Sequence, residues 1–287
     1  MQKKHSPTRV PALHEHLQYC HSNGGALLAI NFYNFETLKG IIRSATEADS
    51  PVILQLTRSS IEYIGLKPAV QMARAMLQDN GITGWLHLDH SDSYDLIHAC
   101  LDAGFDSVMI DASEKSFEEN VAITSKVVQL AERYHAHVEA ELGYVAKLGQ
   151  SKEITGFTEP WQAAQFVEAT GVHALAIAIG SAHGFYTAEP RLDMERLSAI
   201  HESTPASLVL HGSSGIPHPM LQEAIRRGIS KINLATEIKD TFMRKLKSLL
   251  RDSPEIDLRK VFPHAIDAVS ELVKVKFETV RPRASTY

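Results

Sequence analysis

Eight short apolar runs punctuate the chain: Ala26–Ile30, Val52–Leu56, Trp85–Leu88, Ser107–Ile110, His137–Leu142, Ala174–Ile179, Ser207–Leu210 and Lys231–Leu234. They are mostly continuous rather than alternating, as expected of strands covered on both faces. Segments of helical spacing separate them: Phe35–Asp49, Pro68–Gln78, Tyr94–Asp102, Phe117–Tyr134, Pro160–Thr170, Leu192–His201 and Pro217–Arg227. A further helical stretch, Pro11–Cys20, comes before the first strand, and two more, Glu237–Leu250 and Asp257–Thr279, follow the eighth. Turn and cap signals such as Ser22-Asn23-Gly24-Gly25, Asp49-Ser50-Pro51 and Asp79-Asn80-Gly81 close these elements. Strand and helix alternating eight times predict an α/β fold, a (β/α)8 TIM barrel with extra terminal helices. No linker or low-complexity tract interrupts it, so residues 1–287 read as one domain. No Gly-x-Gly-x-x-Gly follows the first strand, which weighs against a dinucleotide-binding sheet.

In such a barrel the chemistry belongs at the carboxyl ends of the strands. Those positions hold Asn31, Arg58, Asp89, His90, Asp111, Glu139, Glu141, His183, His211, Asn233 and Thr236. The run Trp85-Leu86-His87-Leu88-Asp89-His90 passes from apolar strand to carboxylate and imidazole, and Ala182-His183-Gly184 and Leu210-His211-Gly212 bring two more His to strand ends. Taken singly, any of the fifteen His reads as a surface or packing residue. Three of them at the ends of three strands match what a metal site in a parallel barrel requires.

The stretches His87-Leu88-Asp89-His90, Met109-Ile110-Asp111-Ala112-Ser113, Val138-Glu139-Ala140-Glu141-Leu142-Gly143, Ala178-Ile179-Gly180-Ser181-Ala182-His183-Gly184, Leu210-His211-Gly212-Ser213-Ser214-Gly215 and Lys231-Ile232-Asn233-Leu234-Ala235-Thr236-Glu237 resemble the class II, zinc-dependent ketose-bisphosphate aldolases in order and spacing. The resemblance runs from about Ala26 to Leu250, and the Asn-Leu-Ala-Thr-Glu motif is more similar to the tagatose-bisphosphate branch than to the enterobacterial fructose-bisphosphate branch. It implies an aldehyde-lyase that reversibly cleaves a ketose 1,6-bisphosphate to dihydroxyacetone phosphate and an aldehyde. It also implies His90, His183 and His211 as ligands of one catalytic Zn2+, with a monovalent cation as a further candidate, and Asp89 as the group that exchanges the C4 hydroxyl proton. Gly180, Ser181, Gly184, Gly212, Ser213, Ser214, Asn233 and Thr236 would line the site for the substrate and its phosphate, Asn233 also holding the enediolate. Asp111 and Glu141 would orient ligands or offer an alternative metal position. A homodimer or homotetramer is implied as well.

Two departures from that pattern stand out. The family's loop after the fifth strand carries an acidic cluster that protonates the enediolate, whereas Tyr144–Ile154 is shorter and holds a single acid, which makes Glu153 the candidate. Ser213 stands where many relatives have Gly or Ala. At the second strand's end, Arg58 reads either as a clamp for a distal anion or as an exposed loop residue. These differences keep open an aldolase for an acidic, sulfonated or deoxy sugar phosphate. A metal-dependent barrel hydrolase is a reading from another class, though His-x-His is missing from the first strand, and a non-catalytic partner subunit is a third. The remaining His are simpler: His14 and His16 fall in a surface helix, His87 packs or supports, and His135 and His137 lie at the entry end of the fifth strand.

A formal net charge of -5 argues against nucleic acid or an anionic membrane as the partner and leaves room for a phosphorylated small molecule. Only Cys20 and Cys100 occur, each in a helical stretch, which suits a reducing compartment. With neither a signal peptide nor an apolar span in view, a cytoplasmic location is expected.

Overall fold

A computed structural model of the protein describes residues 12–147 and 156–281. Its strands are β1 (Leu27–Asn31), β2 (Val52–Leu56), β3 (Gly84–Ser91), β4 (Ser107–Ile110), β5 (His137–Leu142), β6 (Ala146–Lys147), β7 (Ala174–Ile177), β8 (Ala182–His183), β9 (Ser207–Leu210) and β10 (Ile229–Leu234). Eight of them pair in parallel in the closed order β1-β10-β9-β7-β5-β4-β3-β2, and β6 pairs with β8 beside the barrel. Helices connect successive strands, so this is the (β/α)8 barrel that the alternation predicts. None of the described helices is long and apolar enough to cross a membrane.

Side-chain alternation along each strand divides the core in two. Leu28, Ile30, Leu54, Leu86, Leu88, Val108, Val138, Leu175, Leu208 and Ile232 join the large apolar cluster shared with the surrounding helices. Their neighbours Leu27, Ala29, Ile53 and Trp85 face the barrel axis and meet Leu13, Leu17 and Cys20 from the helix Leu13–Ser22, which plugs the amino-terminal end. Toward the carboxyl end the inward positions turn polar: Asn31, Gln55, His87, Asp89, Glu139, Glu141, His211, Lys231 and Asn233 are all buried. Buried polar side chains are tolerated where they satisfy one another, which concentrates the hydrogen-bonding chemistry at one end of the barrel.

Three local differences from the sequence reading bear on the site. Thr57-Arg58-Ser59-Ser60 is not a loop but the start of the helix Arg58–Ile64, with the Thr57 side chain accepting from the Ser60 amide at the cap. Strand β3 runs on through Asp89, His90 and Ser91 instead of stopping at Leu88, and its pairing with β4 shifts between Leu88 and Ser91. The sixth barrel strand ends at Ile177; the chain then turns at Gly180 (φ +106°) and enters β8, which pairs with β6.

At β8 the fold depends on a glycine. Gly212 has φ +66°, and a Cβ there would stand 2.4 Å from the Ala182 carbonyl oxygen. Tyr186 ties the same segments together, its hydroxyl accepting from the Ala182 amide at 2.8 Å and donating to the Gly212 carbonyl at 2.9 Å. Gly212→Ala is therefore expected to lower stability by at least about 1–2 kcal/mol from left-handed backbone alone. Urea unfolding measures this, and a change within about 0.5 kcal/mol, as for an ordinary surface site, would contradict the close approach.

His137 and His173 stack at the opposite end of the barrel, with ring centroids 5.0 Å apart. Burial, helped by the facing His173, pushes the His137 pKa well below its ordinary value; burial also lowers that of His173. His137 stays neutral in the fold and His173 charges less readily there than out of it, whereas both take up protons below about pH 6.5 once unfolded. Since the unfolded chain then binds more protons, stability should fall with pH below that value, by about 1.4 kcal/mol per pH unit for each proton. Urea midpoints from pH 7.5 to 5 should show this decline, with His137→Asn flattening the slope by about one proton; an unchanged slope would mean that His137 titrates normally in the fold.

Candidate active site and metal centre

The break in register at the end of β3 shapes the centre of the site. His90 has φ +45°, a left-handed conformation that costs a β-carbon-bearing residue on the order of 1–3 kcal/mol and recurs at functional sites. It turns the ring so that Nδ1 meets Asp111 Oδ2 at 2.8 Å while Nε2 stands 2.8 Å from His211 Nδ1. Asp111 is itself held at the end of β4, where Oδ1 accepts from the Ser113 hydroxyl at 2.7 Å and from the Ser113 amide at 3.2 Å. His211 repeats this pattern from the next layer of the barrel: Nε2 meets Glu139 Oε1 at 2.8 Å, and Glu139 Oε2 accepts from Lys231 Nζ at 2.6 Å. His183 comes in from β8, its ring centroid 5.1 Å from that of His90 and 5.7 Å from that of His211.

One ligand atom from each of His90, His183 and His211 lies within 4.8 Å of the other two. Because a carboxylate occupies the far nitrogen of His90 and of His211, the nitrogens left over are those that face each other. Two imidazole nitrogens at 2.8 Å need a proton or a cation between them. Three imidazoles with carboxylates behind two of them suit a divalent ion with an open coordination position, zinc above all. His90, Asp111 and Glu141 form a second group with ligand-bearing geometry that shares His90.

Asp89 is buried next to this centre. It accepts from Asn31 Nδ2 at 2.8 Å, and Asn31 Oδ1 in turn accepts from Gln55 Nε2 at 3.0 Å. Asn233 Nδ2 lies 3.4 Å from the other Asp89 oxygen. Burial alone would raise the Asp89 pKa, but His90, His211, Lys231 and the Asn31 bond outweigh it and hold the carboxyl below its usual range. For His90, burial works toward a lower pKa, yet the Asp111 hydrogen bond and the Asp89 and Glu141 charges raise it to about 9. Glu141 moves the other way, to about 8, because burial disfavours its charge and Asp111 adds repulsion. The two carboxyls grouped with His90 thus differ: His90 and Ser113 hold Asp111 well below the usual carboxylate range, whereas burial and Asp111 push Glu141 up.

A cleft of about 360 Å³ opens above these groups, lined by Asp89, His90, His183 and His211 and by the Gly212–Ser214 turn. The Ser213 hydroxyl donates to the Asn233 carbonyl at 2.5 Å, and Ser214 Oγ accepts from the Glu237 amide at 3.3 Å. That second bond stands in for a side-chain cap on the helix Thr236–Leu250, whose Ala235 cap offers none. Asn233 Oδ1, Ser181 Oγ and Glu141 Oε2 are buried polar atoms without a hydrogen-bond partner among the described residues. Such atoms are costly inside a protein, and the Asn233 oxygen, on the cleft wall, is placed to be satisfied by a ligand.

Asp89, His90, His183, His211, Gly212, Ser213, Ser214, Asn233 and Thr236 line the cleft together, with Gly184 at its edge and Asp111 behind His90. Gly180 sits at the turn before β8 with its φ at +106°, where a Cβ would meet the Arg191 carbonyl oxygen at 2.3 Å. Arg58 is not among the lining residues; its guanidinium pairs with Asp92 at the rim. Glu153 lies outside the described residues. The sequence reading missed Tyr33 and Lys239, which also line the cleft, with Lys239 Nζ 5.3 Å from the Tyr33 ring centroid. It also missed Tyr186 and the inward-facing Gln55 and Lys231. Strand alternation could have marked the last two, since each occupies a polar position on the axial side of its strand.

The family model for class II fructose-bisphosphate aldolases matches residues 12–283. A fructose-bisphosphate aldolase of Geobacillus stearothermophilus is 41% identical over 251 residues, 85% of this chain and 87% of that protein. Among solved structures, the YdjI aldolase of Escherichia coli K12 superposes with a TM-score of 0.85 at 33% identity, covering 96% of this chain and 98% of that one. The fructose-bisphosphate aldolase of Campylobacter jejuni, 21% identical with a TM-score of 0.78 over 93% of both chains, shares the fold. With the family model spanning nearly the whole chain, the protein belongs to the class II fructose-bisphosphate aldolases and is a carbon–carbon lyase.

Proposed function

We propose that this aldolase acts on a ketose 1,6-bisphosphate, releasing dihydroxyacetone phosphate and a phosphorylated aldehyde, with one Zn2+ held by His90, His183 and His211. The observation that carries the reading is the convergence of those three ligand atoms within 4.8 Å of one another, at a cleft that also contains the ionised Asp89. When bound, the ion acts as a Lewis acid that stabilises the negative charge developing on the carbonyl side of the broken bond.

The chain's own residues supply the remaining steps. Asp89, oriented by Asn31 and kept anionic by its cationic surroundings, accepts the C4 hydroxyl proton as the C3–C4 bond breaks and returns it in condensation. Asn233 reaches from β10 toward the same space and holds the enediolate oxygen. The backbone of Gly212, Ser213 and Ser214, together with Thr236 at the start of its helix, cradles the phosphate of the three-carbon ketone, as amides at turns and helix N-termini do for anions. Gly180, Ser181 and Gly184 shape the adjacent rim, and Asp111 and Glu141 steer the metal ligands. Lys239 is the only Lys or Arg lining the cleft among the described residues, so it is the cation placed for the distal phosphate. Arg58 becomes available to an anion only by leaving Asp92, and Glu153 stands as the candidate for enediolate protonation. In this reading residues 1–287 form one barrel domain, assembled as a homodimer or homotetramer in the cytoplasm. Family membership sets aside the barrel-hydrolase alternative.

Removing metal with a chelator should abolish retro-aldol cleavage, and added zinc should restore it. His183→Ala should lose bound zinc, whereas Asp89→Asn should retain it and lose about 10²–10⁴-fold in kcat. Full cleavage by metal-free protein, or an Asp89→Asn variant as fast as the parent, would refute the assignment.

A panel of aldehydes offered with dihydroxyacetone phosphate, with products resolved at C4, identifies the substrate. Phosphorylated aldehydes should be preferred, and Lys239→Met should raise their KM roughly tenfold, the equivalent of about 1.4 kcal/mol for a lost charged contact. A preference for aldehydes ending in a carboxylate or sulfonate would instead favour the acidic-sugar alternative.

A further inference from the structure

We propose that the buried ion pair between Lys231 and Glu139 is a positioning device for His211, fixing the tautomer and orientation in which that ring offers Nδ1 to the metal. The inference rests on the reading that the three imidazoles share one divalent ion. Lys231 and Glu139 are each 1% exposed and His211 is fully buried, and they come from three parts of the barrel, β10, β5 and the residue that follows β9. The chain of contacts is continuous: Lys231 Nζ to Glu139 Oε2 at 2.6 Å, then Glu139 Oε1 to His211 Nε2 at 2.8 Å, then His211 Nδ1 to His90 Nε2 at 2.8 Å. On its other side Lys231 Nζ lies 3.5 Å from His87 Nε2, and His87 Nδ1 meets Ser107 Oγ at 2.8 Å, so β3 and β4 close the network.

Stability gives a poor reason for this arrangement. Two ions carried into a barrel interior lose their hydration, and well-packed apolar residues of similar volume usually hold such a position as well or better. This barrel does so nearby, where Met109, Ala174, Ala176 and Val209 make an apolar interior cluster. Geometry gives a better reason. An ionised carboxylate only accepts hydrogen bonds, so the contact to Glu139 requires the proton of His211 on Nε2 and leaves the Nδ1 lone pair free. The opposite tautomer could accept from Asn233 Nδ2, 3.1 Å from the same nitrogen, but would set a lone pair against a carboxylate oxygen at 2.8 Å. The charge-assisted bond is the stronger of the two and decides the tautomer. Lys231 balances the Glu139 charge and anchors its second oxygen, so the carboxylate cannot rotate away from the ring. His90 receives the same support from Asp111, though that pair is partly exposed at the rim. His211, at the floor of the site, has its support built into the barrel core.

The experiment replaces the pair by apolar residues, Glu139→Leu with Lys231→Met, and measures thermal unfolding and zinc affinity by competition with a chromogenic chelator. The double variant should fold with a Tm at or above the parent's and bind zinc about 10–100-fold more weakly, the usual effect of removing a group that orients a metal ligand. A folded double variant with parent-like zinc affinity would overturn the inference while leaving the metal site itself intact. Ring ¹⁵N–¹H spectra of the zinc-loaded parent give a second reading that needs no variant: the His211 proton is expected on Nε2, with Nδ1 shifted by coordination, and a proton on Nδ1 would overturn the proposal. A parent that takes up no zinc would instead defeat the underlying metal reading, and this inference with it.

Discussion

An imidazole has two nitrogens, and when a carboxylate claims one of them the direction of the other is settled. Two rings in this barrel are held in that way, His90 by Asp111 and His211 by Glu139, and the nitrogens left over face each other at 2.8 Å. The carboxylates stand on β5 and at the end of β4, the rings on β3 and after β9, so only a closed barrel brings the four together. The cleft, Asp89 and the Gly212–Ser214 turn are all arranged around that meeting point. The candidate metal site is thus a property of the barrel interior rather than of any single loop.

Holding the rings there takes local strain and close packing. His90 adopts left-handed backbone where β3 slips its register against β4, a conformation disfavoured on its own and kept by pairing on both sides. His183 arrives on a two-residue strand that pairs with the segment after β5 and is pinned by Tyr186 against the turn that carries His211. Gly212 lets those backbones approach within the space a Cβ would fill. Each device links two ligand-bearing segments, so movement in one is felt by the other.

Much of this was legible in the sequence, and the boundary of legibility has a physical cause. The eight apolar runs marked the barrel because strands covered on both faces must be apolar, and the ends of those runs marked the polar groups. The helix after β2 escapes the sequence pattern because it is short and its cap signal is one hydroxyl accepting one amide. Strand β3 was cut at Leu88 because Asp89 and His90 look like strand termination, whereas they are strand residues facing a polar interior. Pairings between distant strands left no local trace: nothing near Lys231 announces Glu139, and nothing near Arg58 announces Asp92. Lys239 and Tyr33 went unnoticed for a similar reason, since each lies beyond the end of its strand, where sequence pattern alone does not say which way a side chain turns.

On the proposed function, the division between floor and rim also separates bond breaking from selectivity. Floor residues are buried and bonded, Glu139 to both Lys231 and His211 and Asp89 to Asn31, so replacing any one leaves an unsatisfied partner in low dielectric. Rim residues such as Arg58, Asp92 and Lys239 are solvated, and their pairings exchange with water or ligand at little cost. On that reading, a barrel built in this way can change the far end of its sugar by altering the rim while the proposed metal ligands, Asp89 and the network beneath them stay fixed. In the proposed reading, the departure from the family's pattern at the end of β2 therefore bears on which aldehyde is released, whereas the bond-breaking step answers to the floor.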